Sequence, residues 1–433
     1  MKSLCTVAMV AVCTAWASGA KAQTYSYSNA PRFASAEGNL PQPSVLSPSK
    51  ISAQARAANP PAPDTDLSQA TQSNWDGTPA AGGSGCGGSG CGNSGCGMPD
   101  CGMGCCCPNW YVSAKGLVMT RDVPNTFVTT FETGVNTNQL QGTGDANAGW
   151  GGGFEVVLGY NCCCENAFEV SYFGLWGMKG EADRYSSTNS LSTPMINGNV
   201  YLPDAAHAAG GYFDNAREHK ITREDEAHDV ELNYIYHALA NQGNCNGLNV
   251  DILAGVRYFR FTEQLEFASL AGASAAGNHI GNDPANTAYL DVNTENNMVG
   301  FQLGSKIDWR VWNNFSLFAT PKFGIYGNHM TSHSNLHRGD GAEGVFTDTG
   351  DTFDLHGAKT SVSFLASMDL GLNYDITSNW SIFGGYRVLA VTGVALSDNQ
   401  MYPYLAGESD YQNVKSNGSL ILHGVFAGTE FRW

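Results

Sequence analysis

The chain has little charge. Of its 433 residues only 14% are Asp, Glu, Lys or Arg, and the 39 acidic residues outnumber the 22 basic ones, for a net charge of −17. That balance argues against nucleic acid and against an anionic membrane surface as partners. Long apolar runs are also missing. Outside the N-terminus no stretch reaches about 18 apolar residues, which excludes a spanning helix but not a barrel, whose strands alternate. No P-loop, Gly-x-Ser-x-Gly or His-Glu-x-x-His stands in the chain, so no catalytic residue, cofactor or metal ligand is assigned. What is plentiful is glycine, with 52 residues, and aromatics, at 11%. Both suit strands and turns better than helices.

The N-terminus reads as an export signal. Met1-Lys2 is a short positive start, Leu4 to Trp16 is mostly apolar, and Ala20-Lys-Ala22 is a small-x-small cleavage site. Residues 1–22 are thus expected to be removed. Residues 23–85 are rich in Ser, Ala, Pro, Asn and Gln, and read as a disordered tail or spacer.

Residues 86–107 carry a cysteine repeat. Cys86, Cys91, Cys96, Cys101 and Cys106 recur every five residues, with Cys105 and Cys107 beside the last. Intervening glycines allow tight backbone turns between thiols. A soft-metal sponge and a disulfide-stitched knot both fit. An exported chain favours disulfides, and the spacing lacks the two-residue gap of ordinary zinc motifs. The chain has 13 cysteines, and loss of Cys5 and Cys13 with the signal leaves 11.

From residue 108 onward the chain alternates. The last stretch is the clearest case. Trp433, Phe431, Thr429, Ala427, Val425, His423 and Ile421 make one face, and Arg432, Glu430, Gly428, Phe426 and Gly424 the other. Such alternation predicts a strand between two environments. A terminal aromatic on the apolar face suits the closing strand of an outer-membrane barrel, with lipid outside and a polar lumen inside. Phe431 and Trp433 are then the terminal signal for the barrel-assembly machinery.

Nine earlier strands are expected at Trp110–Arg121, Gly151–Tyr160, Ala167–Trp176, His228–Leu239, Leu248–Leu265, Tyr289–Arg310, Phe315–Asn328, Lys359–Asp375 and Trp380–Val394. Asn125–Gly134 could add more, for twelve. Connections alternate long and short, with long ones after strands one, three, five, seven and nine. Short turns on the periplasmic side and long loops outside is the outer-membrane pattern. The expected fold is therefore an all-β, transmembrane, antiparallel up-and-down barrel of about ten strands, with both termini in the periplasm. The inward positions hold Lys115, Glu155, Glu169, Glu231, Asp251, Arg257, Lys306, Lys322, Asp369, Arg387 and Glu430. Cys162, Cys163, Cys164 and Cys245 fall in short turns, on the same side as the cysteine repeat. A bridge from Cys105–Cys107 to Cys162–Cys164 would staple the tail to the barrel rim.

Several stretches resemble the bacterial beta-barrel porin family 7. They are Trp110-Tyr-Val-Ser-Ala with Thr120-Arg-Asp122, Leu158-Gly-Tyr160 with Glu169-Val-Ser-Tyr-Phe-Gly174, and Leu253-Ala-Gly-Val-Arg-Tyr-Phe259. Asn297-Met-Val-Gly-Phe-Gln-Leu-Gly304, Lys322-Phe-Gly-Ile-Tyr-Gly-Asn328, Gly385-Tyr-Arg387 with Gly393-Val-Ala-Leu396, and the end from His423 follow. The resemblance covers about Trp110 to Trp433. It implies a fold and a location, and brings no catalytic residues.

Function is open between three classes. A narrow passive channel for small polar solutes or ions comes first. Next is a non-conducting barrel that anchors the tail, reaching the cell wall or other envelope proteins through it, or displays loops outside. A barrel-rim hydrolase is third. His329, His333, His337 and Asp340 would share a helix face, but they follow a strand and lie near Gly339 and Gly341, so solvated loop histidines are expected rather than a metal site. Arg223-Glu-Asp-Glu-Ala-His-Asp229 reads as a solvated acidic loop end.

Overall fold

The computed structural model describes residues 110–122, 126–163, 166–195, 200–203, 209–238, 247–312, 314–402 and 408–433. The signal, the tail and the cysteine repeat lie outside these residues. Ten strands form the wall: β1 (Trp110–Arg121), β2 (Gly151–Cys163), β3 (Asn166–Tyr185), β4 (Glu218–His237), β5 (Leu248–Leu270), β6 (Thr287–Trp312), β7 (Phe315–Arg338), β8 (Asp354–Asp375), β9 (Trp380–Val394) and β10 (Gly418–Arg432). Each pairs antiparallel with its sequence neighbours, and β1 pairs with β10 to close the barrel. The first and last strands are tied at their ends, where the Trp110 and Trp433 backbones exchange hydrogen bonds of 3.1 and 2.9 Å. Closure leaves no edge strand with unpaired amides, which is what a strand-built protein needs in lipid.

The twelve-strand option is overturned. Val128–Glu132 is a strand, but it pairs with Val135–Gly142 and Leu191–Ser192 in a separate sheet. Loop segments made that sheet, so the wall keeps ten strands.

Alternation along each strand sorts its side chains. Phe154, Val156, Leu158, Val299, Phe301, Leu303, Phe323, Ile325, Leu370 and Leu372 all point outward and are exposed. Phe301 keeps 76% of its surface open, which makes sense against lipid and not against water. Trp110, Tyr160, Tyr236, Trp309, Tyr374, Trp380 and Phe431 mark the short-turn end of this apolar band. Their amphipathic rings suit the lipid interface. Among the described residues no helix is long and apolar enough to cross a membrane.

Six strands run further than the sequence pattern suggested. β3 continues to Tyr185, β5 to Leu270 and β7 to Arg338, while β4 starts at Glu218, β6 at Thr287 and β8 at Asp354. The reason is physical. Beyond the lipid band the outward face becomes polar, with Lys179 bonded to Glu224 at 2.9 Å, Lys220 to Glu181 at 3.0 Å and Arg260 to Glu295 at 3.0 Å. Apolar alternation stops at the edge of the lipid, but backbone pairing continues into water. A β-bulge between Leu175 and Met178 shifts the β3 register. Gly177 takes a φ of +72° there, which favours glycine. The bulge flips the face, so that Met178 is fully buried inside while Phe168 and Val170 face out.

Candidate functional site

The lumen is the natural site of a barrel, and here it is filled in layers. β5 shows the order along one strand. Its inward residues read Arg257, Phe259, Phe261, Glu263, Leu265, Phe267, and all are buried. From Arg257 to Glu263 is about 20 Å of strand at roughly 3.3 Å per residue. Charged, aromatic, charged and apolar layers therefore succeed one another along the axis.

The lower charged layer links strands that are not neighbours in the wall. Arg387 on β9 grips Asp369 on β8 through two bonds of 2.6 and 2.7 Å and also pairs with Glu155 on β2. Lys115 on β1 reaches Glu155 at 2.8 Å and Asp369 at 3.4 Å. Beside them Arg257 grips Asp229 at 2.5 and 3.0 Å, and Lys322 holds Glu231 at 2.7 Å. Gln302 donates to both Glu231 and Asn233 at 2.8 Å. Nearer the short-turn end Lys306 pairs with Glu169, which also accepts the Tyr111 hydroxyl at 2.9 Å. The void among Glu231, Arg257, Lys322, Asp369 and Arg387 measures about 10 Å³. That is close to the minimum for a single water.

Phe173, Phe259, Phe261, Phe426, Met119, Leu365 and Leu389 fill the next layer and are almost fully buried. The aromatic rings bind the charged layer electrostatically. Lys115 lies 4.9 Å from the Phe426 ring and Arg387 lies 5.5 Å from that of Phe173.

Above them is a second charged layer with no exposed side chain. Arg121 on β1 pairs with Asp225 at 2.9 Å and with Glu263 at 3.0 Å. Arg223 on β4 pairs with Glu263 and grips Asp398 at 2.6 and 3.1 Å. Asp398 belongs to the connection between β9 and β10, in a short helical turn Ser397–Gln400. The same Arg223 donates to the Ala146 and Thr143 carbonyls, each at 3.2 Å, from the connection between β1 and β2. One arginine thus ties two loops into the barrel mouth. Tyr212, Phe213, Phe346, Phe353 and Tyr411, from three further loop segments, pack on inward Ile221, Leu265, Phe267 and Leu290 as an apolar cap.

The predicted inward charges divide into groups. Lys115, Glu155, Asp369 and Arg387 meet in one network, Glu231, Arg257 and Lys322 in another, and Glu169 with Lys306 in a third. Asp251 and Glu430 stand apart at the short-turn mouth, where they pair with His237 at 2.8 Å and Arg432 at 2.6 Å. The sequence reading missed Arg121, Asp229, Glu263 and Asp398, and it misread Arg223–Asp229. That segment is not a solvated loop end. It lies within β4, and Arg223 and Asp225 are fully buried. The signal was present, since Arg121 shares the parity of Lys115 and Glu263 that of Arg257. Of the predicted disulfide cysteines, Cys162 is exposed and has no disulfide partner among the described residues, and Cys163 ends β2. Cys86, Cys91, Cys96, Cys101, Cys105, Cys106, Cys107, Cys164 and Cys245 lie outside the described residues.

The histidine series is corrected too. His329, His333 and His337 stand on β7, not in a loop, and share its outward face. Four residues of strand separate each by about 13 Å, too far to share one ion. Asp340 lies past the strand end and pairs with Arg338 at 2.6 Å.

The family model described as Putative beta barrel porin-7 (BBP7) matches residues 112–415. No curated protein matches the chain. Among solved structures it is similar to the outer membrane protease OmpT from Escherichia coli, at 10% identity and a TM-score of 0.35, covering 75% of this chain and 97% of that one. It is also similar to a Pseudomonas aeruginosa FadL homologue (11%, TM-score 0.32, 75% and 90%) and to the translocator domain of the autotransporter NalP from Neisseria meningitidis (9%, TM-score 0.30, 75% and 88%). At these scores the likeness carries nothing further about this chain. The match to the family model spans most of the chain, and with a closed ten-stranded antiparallel wall and an apolar outer band beside it, the chain belongs to the beta barrel porin-7 family, a porin-like class of outer-membrane barrels that is generally not catalytic.

Proposed function

We propose that this barrel is closed to solutes and works as a non-conducting outer-membrane scaffold, with the extended wall and folded loops held outside the membrane. One observation carries the reading: the lumen holds two buried charged layers that link non-adjacent strands, with an aromatic layer between them. Ten strands lie near the eight-stranded size that side chains can fill, far from the 16 to 18 of open porins. The void among Glu231, Arg257, Lys322, Asp369 and Arg387 is about 10 Å³. A hydrated ion would have to break buried, bidentate ion pairs to pass, and breaking one such pair costs about 3–5 kcal/mol.

The tail belongs to this reading. In this reading the export signal is removed and the spacer and cysteine segment form a tether on the short-turn side, taken as periplasmic, where Cys162 is exposed. Non-reducing peptide mapping that finds no link between Cys105–Cys107 and Cys162–Cys164 would remove the staple.

The test of closure is solute release. Liposomes holding folded full chain should release trapped glucose no faster than empty ones. Release that scales with protein content would favour the passive channel instead.

A further inference from the structure

The outer wall carries a second cluster that the lumen does not use. We propose that His333, Asp354 and His356 form a site for a divalent transition metal of the zinc class. His333 on β7 and His356 on β8 are direct cross-strand partners. Their rings stack at 4.3 Å between centroids with 2° between planes. Asp354 lies two residues before His356, on the same face, with a carboxylate oxygen 2.5 Å from Nε2 of His333 and 3.6 Å from Nε2 of His356. One ligand atom from each of the three falls within 4.8 Å of the others.

Two imidazoles and a carboxylate are a donor set that zinc-class ions take, leaving a fourth position open. Binding has to draw the three donor atoms closer and turn the rings out of their stack. His356 is free to do so, since its side chain is 69% exposed. Opposed residues on paired strands stand about 4.5–5.5 Å apart at Cβ, a span a shared ion can bridge.

The surroundings favour a cation. His333 and His356 line a groove of about 460 Å³ on the outward face, together with Glu226, Glu295 and Arg260. Arg260 is held by Glu295 through two bonds of 3.0 and 3.1 Å, so it does not oppose the site as a free charge.

The test uses the full chain folded in detergent, with its thiols alkylated so that cysteines bind nothing. Zn²⁺ titrated by calorimetry should show one site. His333→Gln and His356→Gln should each weaken it at least as much as the loss of an outer-sphere partner does, roughly 10–100-fold. His329→Gln and His337→Gln, on the same face of the same strand, should leave it unchanged. All four positions are outward and outside the packed lumen, and heat-modifiable gel migration checks that each variant is folded. Absence of a Zn²⁺ isotherm in the wild type, or equal weakening by all four changes, would overturn the assignment.

Discussion

Replacing Arg223 with Met tests whether the upper charged layer is dry. The change keeps a long side chain but removes the cation. Asp398 then loses both of its bonds to Arg223, and the Ala146 and Thr143 carbonyls lose their donor. Glu263 is less affected, because Arg121 at 3.0 Å and the Ser397 amide at 2.9 Å remain. The main cost is therefore one stranded, buried carboxylate, about 3–5 kcal/mol for a buried pair broken on one side. Urea unfolding in lipid vesicles, followed by tryptophan fluorescence, reads this as a lower midpoint. Adding Asp398→Leu should restore most of the loss, since an apolar pair of similar volume often matches a buried ion pair. A loss below about 0.5 kcal/mol, the size of an ordinary surface change, would refute the reasoning. It would mean that water already screens the layer and that the lumen is wet.

Two further predictions follow from the same geometry. Burial holds His219 down at about 3 against its ordinary 6.5, and its Nδ1 meets the Thr130 hydroxyl at 2.9 Å in the β1–β2 connection. The open form takes up a proton near 6.5, so closure is unaffected above that pH and weakens as pH falls toward 3, by about 2 kcal/mol between pH 6.5 and 5. Amide exchange over residues 128–142, corrected for intrinsic rates, should speed up on acidification in the wild type and less so in His219→Gln; equal response in both would sink the assignment. On the outer face, Leu303→Arg should cost about 2–4 kcal/mol in vesicles, as for a charge deep in lipid. Thr262→Arg, outward but beyond the band, should cost far less, and equal costs would mean that the band is not in lipid.

The wall was legible because strand parity repeats with a period of two and the lipid makes one parity apolar. That pattern placed all ten strands and the alternation of turns and loops. It cut six strands short where the outer face turns polar, as at Trp176 and Asn328, because hydropathy reports the solvent and not the backbone pairing. The same truncation hid two members of the upper charged layer, whereas Arg121 and Glu263 stood at inward parity within expected strands. Arg223 and Asp225 looked solvated only because β4 was thought to begin at His228. Asp398 could not have been found by parity at all, since it reaches Arg223 from a loop. The grouping of His333, Asp354 and His356 is not legible in the spacing of His329, His333 and His337, because the partner of His333 comes from the neighbouring strand.

The central claim is that the lumen is closed, and single-channel recording tests it most directly. Full chain, shown to be folded by heat-modifiable migration, is inserted into a planar bilayer at high salt and held at stepped voltages. The layered lumen predicts a silent membrane. Reproducible conductance steps that grow with salt concentration would contradict it, and would place a continuous water path through Arg387, Asp369 and Arg223.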